Sequence, residues 1–473
     1  MGFDADIAVI GGGISGLSAA WALARRGSKV LLFEKRHAVG GRIVSERQDG
    51  FLMEHGPNAL AIPAPGMESL VSGLGLSAQR VRTGEHVRRR YLVRGGHAHA
   101  LPLDPVRFFS SGFFTLGARL RLLAEPFIAP IPGDETVAQF ATRRFGREFF
   151  DYLVDPLVGG LHAGDPSRLS VCAAFPRLKR LERESGSVLA GLAAARLRRN
   201  GAGAFDPRRR RLFSFRDGLA ALPRALAAAL GASIVTNARV AALRPARGGF
   251  RLRVNDRDIG ARSVVVALPA YLAARLLAPL DPASALAAGG IAHPPLAVVF
   301  LGYPRDAIQH PLDGFGVLMP RVERRGILGV LFSSSLFPGR APQDQVAVTA
   351  YVGGGREPEQ AGAPPQELAC LVHQEMRQLF RARLKPIVSR VRYWRHGLPQ
   401  PEPGHLQRMA RLRALEDSLP GLYVTGNYLN GVSTAACVDE ALAVARRAHQ
   451  HLSGASAPAH AAAPAGSARR ATA

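Results

Sequence analysis

Gly11, Gly13 and Gly16 stand as G-x-G-x-x-G directly after the apolar run Asp6–Ile10, and Glu34 closes a second apolar run, Val30–Phe33. These residue types in this order suit one task, the holding of a dinucleotide. The first glycine permits a tight turn, the second lets backbone approach a pyrophosphate, and the third lets helix and strand pack closely. Ile14 and Ser15 lead into Leu17–Arg26, which has helix-forming composition with no Pro or Gly. The N-terminus of that helix offers free N–H groups and a positive dipole end to phosphates. The Glu34 carboxylate, followed by Lys35, can accept hydrogen bonds from ribose hydroxyls and would repel a 2′-phosphate, which argues against NADP. Gly40-Gly41-Arg42 adds a second backbone turn with a cation, suited to closing over a diphosphate.

Strands and helices must deliver these residues to one place. Strand-like and helix-like runs alternate along the chain, which predicts an α/β class with α+β insertions. From about 97 to 200 the pattern is helical, with the basic runs Arg143-Arg144 and Arg196–Arg199, and Gly201–Arg211 is a polar connector. Phe213–Gly231 reads as a turn and helix, and Ser233–Thr236, Gly249–Val254 and Ser263–Ala267 as strands. Ala297–Leu301, Ile327–Ser333 and Val346–Tyr351 are β-like, and Glu367–Arg383 is an amphipathic helix. Leu422–Thr425 is a last buried strand and Ala435–His449 a last helix. The dinucleotide fold is therefore expected to be discontinuous, with other domains inserted around a shared cleft.

At 473 residues the chain is long enough for two or three domains. Cys172, Cys370 and Cys437 are too few and too scattered for a disulfide framework or a zinc cluster, so no metal is expected. Asp4 and Asp6 stand where a signal peptide needs an apolar run, and the expectation is a reducing cytoplasm. The net charge is +25, and only Lys29, Lys35, Lys179 and Lys385 are lysines. A GC-rich coding sequence accounts for Arg in place of Lys, but not for the imbalance of charge. No binding motif and no Arg–aromatic stripe points to nucleic acid; an anionic membrane surface or an acidic substrate fits better. The longest run without Asp, Glu, Lys or Arg, Pro282–Pro304, is broken by Gly289, Gly290, Pro294 and Pro295, so no spanning segment is expected. Phe108–Gly117, followed by Arg119 and Arg121, reads as a segment lying in a membrane interface through residues such as Phe113 and Phe114; the competing reading is a helical core.

The middle of the chain narrows the reading. Asp155–Gly191 carries Gly160, Ala163, Gly164, Asp165, Pro166, Leu169 and Ser170, then Phe175-Pro176, Glu182 and Gly186-Ser187. Glu54–Asn58 reads EHGPN, Phe213–Leu219 reads FSFRDGL, Ser333–Pro342 reads SSSLFPGRAP, and Gly426-Asn427 precedes Gly431-Val432. On these motifs the chain resembles the protoporphyrinogen oxidases over residues 5–450. Flavin amine oxidases and carotenoid desaturases are similar at the N-terminus but lack the 155–191 run.

The resemblance implies FAD, held by the glycine residues, Glu34, Lys35 and Arg42 named above. Gly56, Pro57 and Asn58, the backbone of Val240, and Gly426, Asn427 and Val432 before the last helix complete that set. It implies oxidation of a porphyrinogen by hydride transfer from a methylene bridge to flavin N5, with dioxygen reoxidising the flavin and no general base identified. Arg90 would pair with a propionate, Phe337 would stack on a pyrrole, and Leu318 would form the opposite wall. Against these stand a solvated basic face for Arg88–Arg90 and a core position for Phe337. His162 and His405 read as structural.

The domains implied are a discontinuous Rossmann-like FAD-binding domain (1–65, 205–275, 395–452), a mixed-sheet substrate-binding domain (66–96, 276–394) and a helical membrane-associating domain (97–204). The composition of 453–473 predicts a disordered tail. A peripheral place on the cytoplasmic face of the cell membrane, hand-over of product to a ferrochelatase and a homodimer belong to the same set of expectations. The chain departs from the family at Pro401, where an aromatic is usual, and at Glu440, where a Gly is usual, which puts helix packing there in doubt. Coproporphyrinogen III as substrate, a related flavoenzyme acting on amines or carotenoids, and a porphyrin-binding flavoprotein without turnover are the alternatives.

Overall fold

The computed structural model describes residues 3–62, 64–84, 87, 89–101, 112–197 and 211–454. Arg88, Phe108 and Phe109, the stretch 198–210 of the basic run and connector, and the tail from 455 lie outside these residues.

Ala5–Ile10 lies inside a seven-stranded sheet, between Val30–Phe33 and Arg257–Val266, with both pairings parallel. A parallel strand covered on both faces must be apolar throughout, which is why this run shows no alternation. Arg257–Val266 also pairs in parallel with Leu422–Val424, so the sheet joins the two ends of the chain. An antiparallel meander of Val240–Ala246, Gly249–Val254 and Arg257–Val266 completes one side. The helices Ile14–Ala24, Ala221–Leu230 and Thr434–Leu452 cover one face. The helices Ala270–Leu277, Pro282–Gly289 and His405–Ser418 cover the other.

A second seven-stranded sheet runs in the order Val388–Trp394, Leu296–Pro304, Gln345–Gly353, Gly329–Leu331, Gly314–Leu318, Arg89–Arg94, His97–Leu101. Its pairings are antiparallel except for Gly314–Leu318 with Arg89–Arg94. Tyr91, Val93, Val317, Val330, Val348 and Ala350 point to one face, where they form a core with the helix Pro365–Phe380. Residues of opposite parity point to the other face.

Two local expectations change. Phe213–Leu219 does not begin as a turn: Arg211–Phe215 is a strand between Leu60–Ile62 and Arg80–Arg82, because Phe213 and Phe215 each bury a ring. Ile327–Ser333 is a strand only over Gly329–Leu331, and Ser333–Leu336 is a single helical turn.

The helical region is tied by a buried charge network. Arg144 bonds Glu182 at 2.7 Å and Glu125 at 3.1 Å, and Lys179 bonds Glu182 at 2.7 Å. The membrane expectation for Phe113 and Phe114 is corrected here. Phe114 stacks on Phe149 at 4.1 Å, and both phenylalanines are core residues with Leu92 and Leu122. Exposed apolar side chains stand instead at Leu116, Leu120 and Leu123, along the helix Leu116–Leu123, and at Phe127 and Ile131 beyond it. Among the described residues no helix is long and apolar enough to cross a membrane.

Candidate active site

The glycine loop is built from contacts that a side chain would prevent. Gly11 has φ +110°, and a Cβ there would lie 2.5 Å from the Ala267 carbonyl oxygen; at Gly16 it would lie 1.9 Å from the Gly11 oxygen. Gly13 has open space where its Cβ would be, and it caps the helix Ile14–Ala24 with no side chain bonded to the helix end. Uncapped helical N–H groups therefore face an opening beside Gly13, which fits a pyrophosphate. Ser15, in the first turn of that helix, is buried against the thiol of Cys437 from the last helix.

The second glycine turn joins the first. Gly40 donates its N–H to the Gly12 carbonyl at 2.8 Å, and Gly41 packs on the Cα of Gly13. The buried Glu34 carboxylate accepts the N–H of Gly12 at 2.8 Å and of Arg36 at 2.9 Å, which holds it at the loop. Lys35 is exposed on the turn that follows. Val240 opens its strand, half-buried, two residues after Ala238 donates its N–H to the Glu34 carbonyl at 2.9 Å. Gly426 leaves the last strand beside the same loop, since Thr425 donates to Val266 and Ala267 donates to Ile10, each at 2.9 Å. Asn427 and Val432 are half-buried on the way to the helix that Ser433 caps.

Gly56 rests on the carbonyl of Arg42, so the turn Gly56-Pro57-Asn58 lies on the Gly40–Arg42 loop. Asn58 donates to the Tyr351 hydroxyl at 2.6 Å. The Arg42 guanidinium bonds the Gly397 carbonyl and Tyr271 and lies 5.8 Å over the Trp394 ring, and burial lowers its pKa.

On the second sheet Leu318, Gly329 and Tyr351 lie side by side in register, with Leu92 next to Leu318. They share the face away from the helix Pro365–Phe380. One end of this face meets Phe51, whose ring contacts Phe300 edge-on at 5.8 Å. Near Leu318 it meets Gly160 of the helix Asp155–His162, where a Cβ would come within 2.6 Å of the leucine. Arg90 has the same parity as Leu92 and is exposed near the start of its strand, 5.4 Å over Phe315 and paired with Leu101 of the edge strand. Arg89 points the other way and pairs with Asp313 at 2.8 Å.

Phe337 is 2% exposed and packs against Arg340, lining a small cavity with Leu52, Glu54 and Asn58. Tyr351 is the aromatic residue in the Leu318 row, and sequence reading missed it. Its signal is parity: it is two residues from Thr349 and paired with Gly329.

A profile of the family described as flavin containing amine oxidoreductase matches residues 14–450. The chloroplastic protoporphyrinogen oxidase of Nicotiana tabacum is 32% identical, over 95% of this chain and 86% of its own length. The chain belongs to the flavin-containing amine oxidoreductases. The coproporphyrinogen III oxidase of Bacillus subtilis is 27% identical over 94% of this chain and 98% of its own. A solved structure from Exiguobacterium sp. 255-15 shares the fold with a TM-score of 0.78 at 22% identity, covering 94% of this chain and 98% of that one. As a member of this family the chain is an FAD-dependent oxidoreductase.

Within this flavin-dependent oxidoreductase the 155–191 motif does architectural work. Asp155 pairs with Arg356 at 3.0 Å and Asp165 with Arg321 at 2.9 Å, locking the helical region to the second sheet. Ser187 and the N–H groups of Val188 and Leu189 bond Glu125. His162 is buried with its pKa lowered to about 4, and His405 bonds the Tyr428 carbonyl at 2.9 Å. At the departures, Pro401 accepts the Ser170 N–H at 2.8 Å, and the buried Glu440 carboxylate is met by Asn430 and Arg447. The last helix still packs on the first, through Val438, Ala441 and Val444. Among the described residues no cluster of His, Cys, Asp or Glu is placed to hold a metal.

Proposed function

We propose that this flavoenzyme oxidises protoporphyrinogen IX to protoporphyrin IX, with dioxygen as terminal oxidant. The carrying observation is the row Leu318, Gly329 and Tyr351 with the exposed Arg90 on the same face of the sheet: an apolar wall for a macrocycle and a cation for a propionate. Plant relatives named protoporphyrinogen oxidase, at 30–33% identity, support the reading. FAD, when bound, supplies the N5 atom that receives hydride. It would be held by the Gly11–Gly16 loop, Glu34, Lys35, Gly40–Arg42, Gly56–Asn58, Val240, Gly426, Asn427 and Val432.

The chain's own residues orient. Leu318 and Tyr351 stand on either side of Gly329 as one wall, which restricts how a large ring can lie and which methylene reaches the flavin. Arg90 anchors a propionate by a charge-assisted pair. Tyr351 is held by Asn58, and burial pushes its phenol well above the usual range, so it stays protonated and acts as a wall, not as a base. We read residues 97–204 as the region that meets a membrane, through Leu116, Leu120, Leu123, Phe127 and Ile131, a peripheral contact that suits a poorly soluble product.

A second reading, coproporphyrinogen III oxidation, is favoured by relatives of that name from Bacillus subtilis and Propionibacterium freudenreichii, at 27% and 30% identity. Anaerobic mixing with each porphyrinogen tests both. Faster flavin bleaching by protoporphyrinogen is expected, faster bleaching by coproporphyrinogen establishes the second reading, and bleaching by neither sinks both.

A further inference from the structure

Three side chains from the second-sheet region converge on five consecutive residues of the flavin side. Arg340 bonds Glu54 at 2.8 Å, Trp394 donates its indole N–H to the His55 carbonyl at 2.6 Å, and Asn58 donates to the Tyr351 hydroxyl at 2.6 Å. Tyr351 and Trp394 belong to sheet strands, and Arg340 to the loop leading into Gln345–Gly353.

The Arg340–Glu54 pair is the most buried of these ties, with both side chains under 4% exposed. Glu54 also accepts the Leu219 N–H at 2.8 Å and the Ser45 hydroxyl at 2.6 Å, while Arg340 donates to the Ser214 hydroxyl. Each charge is compensated only while the other is in place, so the pair fixes one geometry. Because Gly56 rests on the Arg42 carbonyl and Gly41 on Gly13, a shift of residues 54–58 is passed through packed backbone to the glycine loop.

We propose that Arg340 is a positioning residue of the cofactor site: together with Tyr351 and Trp394 it pins residues 54–58 to the substrate-binding sheet, so that this sheet sets where the flavin-facing turn lies. The inference rests on the reading above that Gly56-Pro57-Asn58 faces FAD, and it gives the SSSLFPGRAP segment a role other than stacking on substrate.

The test is titration of apoprotein with FAD, with Kd read from quenching of flavin fluorescence, for wild type, Arg340→Lys, Asn58→Ala and the double variant. Arg340→Lys keeps the charge but loses the fork geometry, and a weakening of about three- to tenfold is expected, the worth of one hydrogen bond. Adding Asn58→Ala should cost less than the sum of the two, since both act through one turn. Should Arg340→Lys fold poorly, Arg340→Met with Glu54→Gln removes both charges and should give a similar loss of FAD affinity. Additive effects, or an unchanged Kd in Arg340→Lys and in the neutral pair, overturn the proposal. If Asn58→Ala weakens FAD and Arg340→Lys does not, the pin alone has failed. If Asn58→Ala leaves Kd unchanged, the flavin assignment of the turn has failed and the pin falls with it.

Discussion

Gly56 lies against the carbonyl oxygen of Arg42, so closely that a Cβ at position 56 would sit 2.0 Å from that oxygen. Backbone stands on both sides of the contact, so no flexible side chain can yield. Gly56→Ala should force the two turns apart, at a cost of about 1–3 kcal/mol, and lower the flavin retained per chain. Urea unfolding and the flavin-to-protein absorbance ratio measure the two effects; full stability with full flavin content would show that the turns separate freely.

Neighbouring arginines should separate in function. Arg90→Ala should lower kcat/KM for porphyrinogen by about ten- to a hundredfold, the loss of one charge-assisted pair worth about 1.5–3 kcal/mol. Most of it should appear as a higher KM, because a propionate lies far from the reacting methylene. Arg89→Ala removes an exposed pair with Asp313 and should be nearly silent. Equal effects in steady-state assays would leave only a basic surface.

The exposed apolar side chains and the buried phenylalanines should also behave differently. Phe127 is 88% exposed, so Phe127→Asp should change stability by less than about 0.5 kcal/mol. Binding to anionic vesicles should weaken about ten- to a hundredfold, from the 1.5–3 kcal/mol that burying such a side chain contributes. Phe114→Asp should instead destabilise the fold by at least about 3 kcal/mol. Vesicle sedimentation and thermal melts distinguish the two, and unchanged binding in Phe127→Asp excludes this exposed patch as the membrane contact.

Acid should weaken the fold through the buried His162 and the half-buried His293. Burial lowers His162 and His293 from the ordinary 6.5 to about 4. Between these values the unfolded chain binds protons that the native chain does not. The stability from each neutral imidazole is thus present above about pH 6.5 and lost as pH falls towards 4, with a slope of up to about 1.4 kcal/mol per pH unit. Urea midpoints at pH 7 and pH 5 should differ, and His162→Gln should shrink that difference. A pH-independent midpoint in this window contradicts the burial of a neutral His162.

The strand, glycine turn and Glu34 are legible in sequence because each is a local signal: an unbroken apolar run, three glycines at fixed spacing, and an acid closing the next run. Leu116, Leu120 and Leu123 are legible too, since four- and three-residue steps mark one helical face. The four nearby phenylalanines draw attention away from that stripe, although their neighbours bury Phe113 and Phe114. Tyr351 shows where reading stops. Which residues share a face with Leu318 depends on sheet register, and one residue of slip reverses every side chain. The Asp155–Arg356 and Glu54–Arg340 pairs join residues far apart in the chain, and no local pattern carries such partners.

The strand Leu422–Val424 and the helix Thr434–Leu452 complete a sheet and a core whose other members begin at Ala5. A chain leaving the ribosome therefore presents its glycine loop long before the elements that seal it, and the apolar edge of Arg257–Val266 waits unpaired while five strands of the second sheet, from Leu296–Pro304 to Val388–Trp394, are made. Cofactor capture then falls at the end of biogenesis, and a chain cut short before residue 422 would carry every glycine of the loop yet have no finished cradle to close on FAD.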